Sequence, residues 1–184
     1  TDEYLGIADH SGGRGIAHGL DAERLKQQIL TIRELNQRIG GIHIFCGLEV
    51  DIRADGSLDM PDELLEELDI VTAAVHSGLN QSQEQMTRRI IAAIENPKVD
   101  VLAHPSCRLL PGREPVAVDI EAIFRAAVRT NTILEINAMP SRLDLKDIHA
   151  YRARELGVKL VINTDAHSTE HLNFMRFGVG VARR

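Results

Sequence analysis

The sequence predicts an α/β protein with a mostly parallel sheet and helices packed outside it. Short apolar segments alternate along the chain with longer segments in which apolar residues recur at helical spacing. Glycine-rich stretches and Asp-Gly turns separate many of them. This alternation is typical of βα units, in which a helix connects two neighbouring parallel strands.

Seven segments are predicted to be strands, because each is a short apolar run bounded by turn residues or by polar side chains. The seventh is the least regular, since glycines interrupt it. The predicted strands are Tyr4–Ala8, Ile42–Val50, Ile70–Val75, Val99–Ala103, Ile133–Ile136, Val158–Ile162 and Phe177–Val181.

The intervening segments carry helix start signals. Asp21 is a predicted N-cap, and Ser82 with Gln85 has the spacing of a capping box. Asp55-Gly56 predicts a hairpin turn. The predicted helices are residues 21–39, Asp62–Leu68, residues 82–94, Asp119–Arg129, Asp144–Leu156 and a short helix after Ser168.

Two architectures fit this order of elements: a closed or distorted βα barrel, and an open doubly wound sheet. The 184 residues are few for a complete eight-stranded barrel. No GxGxxG motif follows the first predicted strand, so a dinucleotide-binding fold lacks support. No linker or repeat divides the chain, and residues 1–184 are expected to form one domain.

Composition excludes several classes of protein. With 43% hydrophobic and 26% charged residues, the chain is not intrinsically disordered. It has no apolar run near the roughly 20 residues of a membrane helix, and no signal peptide is visible. Two cysteines without CxxC spacing fit a cytoplasmic location. The net charge of −6 and 3% aromatic content argue against base stacking, so any nucleic-acid contact is expected to involve phosphates.

Polar side chains stand at the end of almost every predicted strand. Because the C-terminal ends of parallel strands share one face of the sheet, these side chains are expected to converge there. They are Asp9 and His10, Glu49 and Asp51, His76, His104, Glu135 and Asn137, and Asp165 and His167.

Histidines and carboxylates without cysteine suit zinc, manganese or iron. One histidine at a strand end is more often a capping or core residue, but four of six strands ending in this way favour a metal site. For Glu49, in an apolar strand, the alternatives are a buried salt bridge and a shared metal ligand. Asp9 and Asp51 are expected behind the ligands. A site this rich in ligands could hold more than one ion and hydrolyse phosphoesters.

Arginines are predicted in loops that leave the same face: Arg14, Arg108, Arg113 and Arg142. Their forked donors suit phosphate oxygens, although they could equally be solvated loop charges.

These residues also carry a family resemblance. The segments are Ala8–Ser11, Gly47–Asp51, Val75–Ser77, Ala103–Pro105 and Asn163–Ser168, together with residues 57–77, 137–145 and 162–184. They resemble motifs of the PHP (polymerase and histidinol phosphatase) superfamily, most nearly those of the C-terminal PHP domain of bacterial and archaeal family X DNA polymerases.

The resemblance implies a distorted seven-stranded βα barrel, a site of up to three Mn²⁺, Zn²⁺ or iron ions, and hydrolysis of DNA 3′ ends with a metal-activated water as nucleophile. By motif, Glu49 would bridge two ions, with His76 and His104 at one and Asp165 at the other. His10 and His167 would hold a third. Independently of the resemblance, Asp9, Asp51 and Asn137 are expected to support the ligands.

The sequence departs from the family pattern at its start, where the H-x-H strand is not recognisable. We therefore expect an incomplete barrel without its first βα unit, fewer than three ions, and an exposed sheet edge open to self-association or strand swapping. DNA, reached through a parent polymerase, is the expected partner. The alternatives are a small-molecule phosphatase of the histidinol-phosphate type and a structural module without activity.

Overall fold

The structure, a computed structural model, describes residues 3–12 and 19–184. Six parallel strands form a single curled sheet, an incomplete barrel in which the spatial order of the strands equals their order in the chain. The strands are β1 (Tyr4–His10), β2 (His43–Asp51), β3 (Ile70–Ala74), β4 (Val101–Leu102), β5 (Ile133–Asn137) and β6 (Leu160–Asn163). The predicted α/β class and the incomplete barrel are confirmed.

Helices connect successive strands, as the alternating pattern predicts. The connecting helices are α1 (Ala22–Arg38), α2 (Asp62–Leu65), α3 (Gln83–Ile94), α4 (Ile120–Thr130) and α5 (Asp147–Glu155). A 3₁₀ helix (Thr169–Phe174) and α6 (Met175–Ala182) follow β6. The capping predictions hold: the Asp21 side chain accepts from the Arg24 N–H, and Ser82 and Gln85 form a capping box. Gly56, with φ of 91°, makes the predicted hairpin turn.

The predicted seventh strand is wrong, because residues 177–181 lie within helix α6. The segment alternates apolar residues with glycines, but Phe174, Phe177 and Val181 also follow helical spacing, and packing selects the helix. Gly178 allows close contact with the sheet: a Cβ there would lie 2.3 Å from Ile162 Cγ2.

Helix α5 begins three residues later than predicted, at Asp147 instead of Asp144. Asp144 is engaged elsewhere, since its carbonyl accepts from the Asn137 N–H at 2.6 Å and its carboxylate accepts from the Ser106 N–H at 3.0 Å. These bonds fold the β5–α5 connection back over the end of β5.

The core lies between the sheet and the helices. Alternate residues of β2, such as Leu48 and Val50, are fully buried on the helix side, whereas Glu49 points into the barrel. The largest fully buried side chains are Phe124, Leu25, Ile29, Leu48, Ile52, Leu65, Met86, Ile90, Ile94, Leu102, Ile123 and Leu134.

The register of the sheet aligns the polar strand ends on one rim. His10 is opposite Glu49 across β1 and β2, and Asn137 is opposite Asn163 across β5 and β6. Among residues 3–12 and 19–184, strands β1 and β6 each pair with one neighbour and form the two edges of the sheet. No helix in the described part of the chain is long and apolar enough to cross a membrane.

Candidate metal centre

Glu49 lies at the centre of the strand-end cluster. Its side chain enters the barrel near the end of β2 and is only 12% exposed. His76 Nε2 and His104 Nε2 lie 3.2 and 3.1 Å from the same oxygen, Glu49 Oε1. His10 Nδ1 lies 3.9 Å from the other oxygen, Oε2. Three strand-end histidines from distant parts of the chain thus surround one carboxylate.

The rings stand edge to face around Glu49. The centroids of His10 and His76 are 5.0 Å apart, and those of His76 and His104 are 5.2 Å apart. Ligand atoms of His10, Glu49 and His76 all lie within 4.8 Å of one another, a spacing compatible with one ion between them. Imidazole nitrogens and a carboxylate are the donors that zinc and manganese accept, so the residues present fit a metal.

Strong electrostatic coupling holds this cluster together. Burial would raise the pKa of Glu49, but hydrogen bonds from His104 and His76 outweigh it and hold that pKa well below its usual value. Burial would lower the pKa of both histidines. Contacts with Cys107 and Glu49 instead raise the pKa of His104 well above its usual value, and those with Asp51 and Glu49 raise the pKa of His76. In the metal-free protein, His76 and His104 therefore retain their protons at the position where a metal ion would bind.

Asp51 orients one of these rings. Its Oδ1 forms a short hydrogen bond with His76 Nδ1. This contact directs Nε2 of the same ring towards Glu49. A carboxylate behind a histidine in this way fixes the tautomer and increases the basicity of the nitrogen that faces the metal.

A second group of polar side chains lies around Asp165, just after β6. Its Oδ2 accepts from Asn137 Nδ2 at 3.0 Å and lies 3.2 Å from Arg142 Nε. His167 Nδ1 lies 2.9 Å from the Asp165 carbonyl oxygen. The His167 ring centroid is 6.1 Å from that of His10, which connects this group to the Glu49 cluster.

Glu135 lies between the two groups; the sequence predicted that it would converge with the other strand-end side chains but gave it no separate role. Its carboxylate is 4% exposed and accepts from the His104 N–H at 2.7 Å, from Asn137 Nδ2 at 3.2 Å and from Asn163 Nδ2 at 3.0 Å. Burial raises its pKa to about 7. The signal was available, because Glu135 interrupts an apolar strand in the same way as Glu49 does.

The predicted arginines have different environments. Arg14 lies outside the described residues. Arg108 donates from Nε to the Arg142 carbonyl at 2.8 Å and from Nη2 to the Leu143 carbonyl, so it supports the loop that carries Arg142. Arg142 Nη1 is buried and has no hydrogen-bond partner among the residues that the structure describes. Arg113 donates to the Cys107 carbonyl at 2.7 Å.

Asp9 differs from expectation. It is exposed and alternates with His10 on β1, so the structure does not bring it to the cluster. His171, for which no role was predicted, accepts at Nδ1 from the His167 N–H at 3.2 Å. The spacing of four residues between His167 and His171 was the missed signal.

An incomplete α/β barrel with histidines and carboxylates converging at its C-terminal strand ends defines a class of barrel proteins with potential metal sites on that rim. The chain is 46% identical over 182 residues to the "DNA polymerase/3'-5' exonuclease PolX" of Bacillus subtilis, covering 99% of this chain and 32% of that protein. It is 31% identical over 180 residues to a probable phosphatase of Shewanella sp. (strain ANA-3), covering 90% of this chain and 69% of the relative. The chain therefore belongs to the PHP superfamily.

No family model matches the chain. Among solved structures, a 4-hydroxy-tetrahydrodipicolinate synthase from Methylacidiphilum fumariolicum SolV aligns with 97% of this chain and 71% of its own. Its TM-score of 0.37 and 14% identity are too low to carry an argument. The chain spans about a third of the length of the Bacillus relative.

Proposed function

We propose that residues 1–184 form a single metal-dependent phosphoesterase domain that hydrolyses DNA phosphodiesters at 3′ ends. The observation that carries the proposal is the convergence of three histidines on buried Glu49, with two ring nitrogens 3.1 and 3.2 Å from one oxygen. Packing alone poorly explains why three histidines surround this carboxylate, because burying a carboxylate is costly unless it is paired.

In this proposal Glu49 would serve two metal positions, with His76 and His104 at one and Asp165 at the other. His10 and His167 would serve the third position of a complete family site, and fewer than three ions are expected in this chain. Bound Mn²⁺, Zn²⁺ or iron would supply Lewis acidity and lower the pKa of water. Glu49, Asp165, His10 and His167 would face the reacting phosphate.

The chain's other residues would position the substrate and the ligands. Asp51 orients His76, and Asn137 orients Asp165. Arg142 has a buried Nη1 donor available, which suits a phosphate oxygen. Arg108 would act on phosphate indirectly, because its guanidinium already donates to the carbonyls beside Arg142.

The choice of DNA as substrate is supported by the Bacillus relative, which is named as a DNA polymerase and 3'-5' exonuclease and is 46% identical to this chain. The Shewanella relative, a probable phosphatase at 31% identity, supports the alternative of a small phosphomonoester. We favour DNA, presented through a larger polymerase in the cytoplasm. The edges of β1 and β6, which have no strand partner in the described part of the chain, are candidate surfaces for self-association or strand swapping.

A substrate panel tests this proposal. A DNA oligonucleotide labelled at its 5′ end, a phosphomonoester and a generic phosphodiester are each incubated with Mn²⁺ or Zn²⁺. We expect shortening of the DNA from its 3′ end, with activity abolished in Glu49→Gln and retained in His43→Ala, which alters an exposed histidine on the same strand. Hydrolysis of the phosphomonoester alone would favour the small-molecule phosphatase.

Metal content separates an enzyme from a structural module. Elemental mass spectrometry after purification without chelator should find about one or more tightly bound ions per chain. His76→Ala should lose them and His43→Ala should keep them. Equal metal content in the two variants would contradict the proposed site.

A further inference from the structure

The buried carboxylate of Glu135 lies where the two halves of the candidate metal centre meet. It projects from β5 into the barrel, between the ends of β4 and β6. The three groups that hydrogen-bond to it are neutral N–H donors rather than cations. A buried carboxylate whose hydrogen bonds come from neutral donors is a costly choice for a barrel interior, where an apolar side chain would pack without such requirements.

The hydrogen bonds of this carboxylate link two of the candidate metal ligands, His104 and Asp165. One oxygen, Oε2, accepts from the His104 N–H at 2.7 Å and from Asn137 Nδ2 at 3.2 Å. The same Asn137 nitrogen donates to Asp165 Oδ2 at 3.0 Å. A single oxygen atom is therefore one bond from His104 and two bonds from Asp165.

The His104 bond also supports an unusual backbone conformation. His104 has a φ of 27°, which a residue with a side chain seldom adopts. The N–H that Glu135 accepts belongs to this residue, whose ring contacts Glu49. Asp144 holds the same turn two residues later, through the Ser106 N–H. Two buried carboxylates thus fix the turn that aims the His104 ring.

We propose that Glu135 is a positioning residue that sets His104 and Asp165 relative to each other, and so determines the spacing between the two parts of the metal centre. The inference rests on the proposed function for the identity of the ligands. The positioning itself is a property of this chain's hydrogen bonds and can be tested with or without metal.

The test substitution is Glu135→Gln, which keeps the shape and removes one acceptor. N–H donors approach both carboxylate oxygens of Glu135. In either orientation, the NH₂ group of the new glutamine side chain therefore faces another donor, and one hydrogen bond is lost. Calorimetric titration with Zn²⁺ and Mn²⁺ should show affinity reduced about ten- to a hundred-fold, the range typical for residues behind metal ligands. Co²⁺ absorption spectra should change as the ligand geometry relaxes.

The matched control is Thr132→Val, another buried polar residue near β5, whose hydroxyl contacts Thr130 and the Ile94 carbonyl rather than the site. Both variants are expected to lose some stability, but only Glu135→Gln should alter metal affinity and the Co²⁺ spectrum. Affinity within two-fold of wild type in both variants, with similar losses of stability, would overturn the proposal.

A metal-free measurement keeps the two proposals separable. Proton–nitrogen correlation spectra of the chelator-treated protein should show shifts of the His104 ring nitrogens and of the Asn137 side-chain amide in Glu135→Gln and not in Thr132→Val. If the wild type binds no metal, the proposed function fails while these spectra still decide the role of Glu135. Unchanged His104 and Asn137 signals in Glu135→Gln would refute the positioning role even if metal binds.

Discussion

Replacing Glu49 by Gln in the metal-free chain should destabilise the protein by an amount that depends on pH. The substitution removes the carboxylate that two imidazoles contact, in a setting where His104 is only 2% exposed. Losing one partner of a buried charged pair costs about 3–5 kcal/mol. We expect a loss in the lower part of this range near pH 6, because His76 is partly solvated, with its side chain 19% exposed.

The sign of the pH dependence follows from the pKa shifts. The pKa values of His76 and His104 are raised in the folded protein, so their contribution is fully present below their ordinary value of 6.5 and is lost as pH rises through the folded values. The pKa of Glu49 is lowered, so its contribution is present above 4.5 and is lost only in acid. Above about pH 6.5, each histidine should therefore reduce wild-type stability by about 1.4 kcal/mol per pH unit until it deprotonates.

The two proteins should consequently converge as pH rises. In Glu49→Gln the histidines lose one of the partners that raise their pKa, while Asp51 and Cys107 remain, so its stability should fall less steeply than that of the wild type between about pH 6 and pH 9. Urea unfolding in excess chelator measures this, followed by circular dichroism because the chain has no tryptophan. The exposed variant Glu121→Gln should show the wild-type pH dependence. Parallel curves for wild type and Glu49→Gln would refute the electrostatic account of the cluster.

Three other predictions concern the supporting residues, the fold and the metal. Asp51→Asn should weaken Zn²⁺ binding about ten- to a hundred-fold in calorimetric titrations, because His76 loses the partner that fixes its ring. Gly178→Val should cost about 1–3 kcal/mol or more in urea unfolding, since a Cβ there already lies 2.3 Å from Ile162; an unchanged midpoint would contradict this packing. Metal binding should release protons below about pH 7, detectable as a buffer-dependent enthalpy, because the ligands must deprotonate; no buffer dependence would contradict the raised histidine pKa values.

Many residues of the candidate site could be predicted from the sequence, because one structural rule applies to every strand of a parallel sheet. In a parallel sheet all C-terminal ends lie on one side, so residues that end strands converge whatever their separation along the chain. That rule alone, without any measured distance, predicts that four residues lie close together: His10, Glu49, His76 and His104. Their roles as metal ligands stay predictions.

What the sequence did not reveal depends on contacts between loops and strands. Glu135 and Asp144 act through backbone N–H groups of the turn after β4, and no spacing pattern predicts which turn a carboxylate will reach. Helix α6 was mistaken for a strand because its apolar residues satisfy two periods at once, and only packing against Ile162 decides between them. Arg108 was assigned to phosphate because charge is visible in a sequence, whereas its backbone carbonyl partners are not.

The agreement between chain order and sheet order has a consequence for how the molecule would come apart. In the described chain, each strand pairs with the strands that precede and follow it in sequence. Unfolding is therefore expected to begin at the edge strands, β1 and β6. His10 and His167 bring side chains from the opposite ends of this series within 6.1 Å, centroid to centroid. An ion bound by both histidines would link the two edges of the open barrel. This link would close a loop of nearly the whole chain and oppose the unfolding of either edge strand alone. Amide exchange in β1 and β6 would then slow together when metal is added, and the two edges would unfold as one cooperative unit.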